Sequence, residues 1–180
     1  MAVKRDRNNK PRPPLDRHLL EQTALAYAGR YATTRAKLAS YLERKLRERG
    51  WAENSEPPVE LLVERMAALG YVDDRAYASA RAAALGRRGY GERRLRQALR
   101  AAGIAEEDSA GAREEAQAGA WAAALRFAER RRIGPFAASE PDRPGREKAL
   151  AAMLRAGHPS ELARRLVSAK PGQIPEADTN

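Results

Sequence analysis

The sequence predicts an all-α protein, an elongated tandem array of three three-helix repeats, each a helix-turn-helix-like unit. Three observations predict it. Apolar residues recur at spacings of three and four along most of the chain, and no stretch alternates as a strand would. Leu42, Leu46, Gly50 and Trp51 have the spacing of Leu95, Leu99, Gly103 and Ile104, and Leu150, Leu154, Gly157 and His158 follow it with one residue fewer. The closing glycines lie 53 and 54 residues apart, as expected of one repeated supersecondary unit. Finally, only 6% of residues are aromatic and alanine fills many inward positions, so each core is thin and the units must lean on one another.

The elements follow in order. Residues 1–14 are basic, carry prolines and lack large apolar groups, so they read as a disordered tail. That tail is either a cationic arm for a polyanion or an end of no consequence. Repeat 1 covers residues 15–70. Its first helix runs from about Leu15 to Tyr31, its second from a Thr33 or Thr34 cap to Arg49, and its third from Pro57-Pro58 to Gly70.

Repeat 2 covers residues 71–117 and organises the rest. Asp73 is placed to cap a helix reaching about Arg88, with Asp74 in its first turn. The turn Arg87-Arg88-Gly89-Tyr90-Gly91 breaks it. A short helix over 92–102 then carries Leu95, Ala98, Leu99 and Ala102 on one side and Arg93, Arg96 and Arg100 on the other. An acidic third helix starts near Ala105 and runs almost directly into repeat 3, residues 118–169. There Trp121, Ala124, Leu125 and Ala128 mark a helix closed by Arg130, Arg131 and Arg132. A loop with three prolines over 133–145 suggests that the last repeat is the most mobile. Helices over 146–156 and 160–168 complete it, and residues 170–180 read as a disordered polar tail.

With 34 Lys and Arg against 24 Asp and Glu, the net charge of +10 favours nucleic acid, an anionic membrane or an acidic protein as partner. Without cysteine there is no disulfide or thiolate site, and two distant histidines make a poor metal centre, so no metal or cofactor is expected. No apolar run is long enough to span a bilayer and no signal peptide is evident, which suggests a soluble, cytoplasmic protein. No Walker loop, nucleophile elbow or ligand cluster marks an enzyme.

The phosphate-binding candidates are Arg87, Arg88, Arg93, Arg94, Arg96 and Arg100 in repeat 2, with Lys37, Arg44, Lys45 and Arg47 in repeat 1. Loop N–H groups and the helix N-terminus at Gly91 are expected to add positive charge. Asp73, Asp74, Gly89, Tyr90 and Gly91 read as structural, and Trp51 and Trp121 as core rather than stacking platforms.

The strings GYVDDRAYA and GRRGYGERRLRQALRAAGI resemble the central repeat of the RecX family, regulators of the RecA recombinase. YATTRAKLASYLERKLRERGW and GREKALAAMLRAGHPSELARRLV look like its first and third repeats. In the third, one residue is missing before the glycine, and His158 stands where an aromatic residue is more typical. The resemblance implies a non-enzymatic, monomeric regulator that binds the RecA–DNA filament, and single- and double-stranded DNA. It would restrain RecA's ATPase, strand-exchange and co-protease activities in recombination and the SOS response. The alternative is a sequence-tolerant DNA-binding helical protein unconnected to RecA.

Overall fold

The computed structural model describes residues 13–177, so most of the basic arm and the last three residues lie outside the described residues. Among the described residues there are nine α-helices, one short 3-10 turn and no strand; a single isolated bridge joins Leu15 to Trp51. The helices fall in three triplets, in keeping with the glycine spacing. They form two compact units, one ending at Asp73 and the other beginning at Asp74.

In the first unit, α1 (Arg17–Arg30), α2 (Arg35–Arg49) and α3 (Val59–Ala68) enclose Leu20, Leu38, Leu42, Leu62 and Met66. Asp16 caps α1 by accepting from the Leu19 N–H, and Thr34 caps α2 by accepting from that of Lys37. Pro13, expected within the N-terminal tail, is tied to the first unit. The Arg49 guanidinium donates to the Pro13 carbonyl at 2.9 and 2.7 Å, and Leu15 exchanges 2.9 Å backbone bonds with Gly50 and Ala52. Trp51 packs against this core while its ring N–H donates to the Ser55 carbonyl.

The second unit holds α4 (Asp74–Arg87), α5 (Glu92–Ala101), α6 (Glu106–Ala118), α7 (Ala120–Arg131), α8 (Arg143–Arg155) and α9 (Ser160–Ser168). Leu85, Leu95, Leu99 and Ala112 fill the core of its first triplet, and Phe127, Met153, Ala163 and Leu166 that of its second; Tyr90 packs against both. Only Gly119 separates α6 from α7, as their nearly unbroken run in sequence implies.

Three expectations need correction here. Helix α8 starts three residues before the expected Arg146, because Asp142 caps it through the Gly145 N–H and Pro144 is harmless in a first turn that lacks hydrogen-bond partners anyway. The polar tail from residue 170 is not loose where it is described. Gly172 donates to the Pro135 carbonyl at 2.8 Å, and the Arg165 guanidinium donates to that of Glu176. Nor does the last triplet stand apart, since it shares one compact unit with the second.

Candidate nucleic-acid interface

The turn between α4 and α5 is the centre of the second unit. Gly89 takes φ +70, and a Cβ there would lie 2.6 Å from the Phe127 nitrogen, so α7 passes directly over the turn. Arg126 of α7 donates to the Gly86 carbonyl at 3.1 Å. On the other side the α8–α9 turn meets the start of α5 backbone to backbone. Gly91 donates to the Ala156 carbonyl at 2.9 Å and Arg93 to that of Gly157 at 3.3 Å. A methyl at Gly91 would strike the Gly157 carbonyl, and one at Gly157 the Arg94 nitrogen.

The carbonyl end of α8 therefore satisfies the amide end of α5, a favourable alignment of helix dipoles. Of the N–H groups expected to add positive charge at Gly91, those of Gly91 and Arg93 are bound inside the fold.

His158 belongs to the same junction. It is 2% exposed, its Nε2 lies 3.1 Å from the Gly89 carbonyl oxygen, and its ring sits 5.5 Å from that of Phe127. That contact requires Nε2 to carry the proton, while Nδ1 is buried without a hydrogen-bond partner among the described residues. Burial pushes its pKa down to about 4, with the Gly89 hydrogen bond opposing. Where an aromatic residue would only pack, the histidine packs and also satisfies a turn carbonyl.

The ten cationic candidates separate by what they touch. The Arg93 guanidinium donates to the Leu154 carbonyl at the end of α8. Arg96 pairs with Glu92 at 3.0 Å, and Glu92 also binds Arg113 at 2.8 Å. Burial works against charge on Glu92, but the two guanidinium groups outweigh it and hold its carboxyl below the usual range.

Arg87, Arg88, Arg94 and Arg100 are exposed, and among the described residues none forms an ion pair. In the first unit, Lys45 pairs with Glu48 at 2.6 Å and Arg44 with the same carboxylate at 3.8 Å, while Arg47 reaches Glu43 only at 4.0 Å. Arg44 and Lys45 also lie over the Tyr41 ring, whose centroid is 4.0 Å from that of Tyr27. Lys37 is half-buried, and its backbone closes the Thr34 cap.

Of the residues read as structural, Asp74 is buried, Gly89 and Gly91 form the junction, and Tyr90 joins the two cores of the second unit. Trp121 packs on the second of those cores with the Arg165 guanidinium 5.3 Å from its ring. Sequence reading missed Arg113, which links Glu92 to Glu106. No local pattern signals it, because Glu92 is 21 residues away. Among the described residues no group of three or more potential metal ligands occurs, and no helix is long and apolar enough to cross a membrane.

Fold and site together define a cationic helical-repeat protein whose middle triplet presents unpaired arginines. Residues 73–112 match the family described as the second three-helix domain of RecX. Over 93% of its length the chain is 31% identical to the regulatory protein RecX of Myxococcus xanthus, covering 94% of that protein. It is 42% identical over 84 residues to the RecX of Thermus thermophilus, a match spanning 47% of this chain and 56% of the relative. A crystal structure of regulatory protein RecX superposes with a TM-score of 0.61 at 19% identity, covering 83% of this chain and 72% of the other, a likeness of fold. The chain belongs to the RecX family of regulatory proteins.

Proposed function

We propose that this protein regulates the RecA recombinase by binding the RecA–DNA filament as a cytoplasmic monomer, restraining ATP hydrolysis, strand exchange and co-protease activity. The observation that carries the reading is the match to a RecX regulatory protein over 93% of the chain. The exposed, unpaired Arg87, Arg88, Arg94 and Arg100 supply the chemistry, since free guanidinium groups bind phosphate without first breaking an internal pair. Arg44, Lys45 and Arg47 contribute from the first unit, their intrahelical pairs being weak and solvent-screened. Arg93 and Arg96 serve mainly to hold α5.

Fluorescence anisotropy with labelled 30-mers tests the proposal, comparing bare single strand, bare duplex and RecA filaments locked with a non-hydrolysable nucleotide. Filaments should be bound at least about tenfold more tightly than either bare DNA, a difference of about 1.4 kcal/mol. Equal affinity for bare duplex and filament would replace this reading with that of a DNA-binding helical protein unconnected to RecA.

A further inference from the structure

A cleft of about 310 Å³ opens in the last triplet between the end of α7, the following 3-10 turn and one face of α8. Lys148, Ala152 and Arg155 stand at i, i+4 and i+7 on α8, so they share a side of that helix. Arg131 and Arg132 border the cleft from the end of α7, and Ile133, Ala152 and Val167 give it an aliphatic floor. No acidic and no aromatic side chain lines it. None of the four cations is in an ion pair among the described residues.

Arg132 adds a second observation. It is the one non-glycine residue with positive φ among the described residues, at +54. It closes α7, with Arg132 donating to the Glu129 carbonyl and Ile133 to that of Ala128. Glycine, at φ +80 and +94, follows α2 and α8. A β-carbon in that region is disfavoured, so the fold tolerates strain at the position that places a guanidinium on the cleft.

We propose that this cleft binds an acidic peptide segment of a partner protein, an aliphatic side chain entering the floor while flanking carboxylates pair with Arg131, Arg132, Lys148 and Arg155. Charge complementarity and the floor select this occupant. A phosphate backbone would use the cations but leave the aliphatic surface wet, and an unstacked base would find no ring to stack on. The carboxylate fork suits the three guanidinium groups. The cleft does not include the arginines of α4 and α5, so its test stands or falls independently of the filament proposal.

The test uses the full chain and a fluorescein-labelled peptide with a central leucine flanked by aspartates and glutamates, with a labelled single-stranded oligonucleotide in parallel. Saturable peptide binding is expected, weakened about tenfold or more when serine replaces the leucine. Lys148→Glu with Arg155→Glu should abolish peptide binding while leaving the helical circular dichroism spectrum and most oligonucleotide affinity in place. Arg132→Gly should raise the melting temperature by about 3–6 °C yet weaken the peptide, which separates binding from folding. Equal binding of the leucine and serine peptides would overturn the proposal. So would an effect of the charge reversals confined to the oligonucleotide, a lower melting temperature for Arg132→Gly, or peptide exclusion by a second copy of the chain seen in sedimentation.

Discussion

Replacing Gly91 by alanine probes the junction on which the second unit depends. Its φ of −83 is open to any residue, so the variant carries no backbone strain and tests the close approach alone. The new methyl would strike the Gly157 carbonyl and lie 2.8 Å from the His158 nitrogen, both backbone atoms that no side-chain rotation can move. Overpacking of this kind costs about 1–3 kcal/mol. Separating α5 from α8 also weakens the backbone bonds from Gly91 and Arg93, worth about 1 kcal/mol each. Reduced freedom of the unfolded chain returns about 0.4–1 kcal/mol. The net destabilisation is about 2–3 kcal/mol, which for a unit of this size lowers the midpoint by about 8 °C or more.

Thermal unfolding by circular dichroism measures the shift, and hydrogen exchange locates it. Faster exchange is expected at the Gly91 and Arg93 amides, with residues 13–73 unaffected. A midpoint within about 1 °C of the parent would refute the reasoning, because it would mean the two turns do not meet.

Gly111→Ala is the counterpart. A Cβ there meets open space within α6, so the variant should stabilise by about 0.5–1 kcal/mol in chemical denaturation. His158 makes stability pH-dependent. Its folded pKa, about 4, lies below the ordinary 6.5, so the unfolded chain binds the extra proton first. Stability should fall as pH drops from about 6.5 towards 4, by roughly 3 kcal/mol in all, and His158→Phe should flatten that part of a denaturation–pH profile. Arg94→Ala with Arg100→Ala should leave stability within about 0.5 kcal/mol, while the salt slope of duplex binding becomes shallower by about 0.9 for each phosphate that the variant no longer neutralises. Arg93→Ala should instead destabilise by about 1–2 kcal/mol, seen in urea melts, because its partner is the Leu154 carbonyl.

The helices were legible wherever the signal was local. Gly50, Gly103 and Gly157, read as closing residues, have φ of +80, +71 and +94, and of the two threonines read as possible caps of α2 it is Thr34 that caps it. The start of α8 is less legible because Pro144 and Gly145 resemble breakers, although an aspartate preceding them caps a helix. The site was harder still. Arg93, Arg96 and Arg100 share one face of α5, and periodicity cannot distinguish among them. Only the fold shows that Arg93 reaches α8 and that Glu92 claims Arg96. The approach of Gly91 to Gly157 and of His158 to Gly89 joins residues 66 and 69 positions apart, beyond what local pattern encodes.

Regulation of RecA is probed most directly by RecA-catalysed, single-strand-dependent ATP hydrolysis on preformed filaments, titrated with this protein and with its Arg94→Glu/Arg100→Glu variant. Hydrolysis should fall at protein concentrations well below that of RecA, and the variant, folded to the same melting temperature, should restrain it about tenfold less effectively. Undiminished hydrolysis at concentrations where the protein saturates bare DNA would contradict a role on the RecA filament.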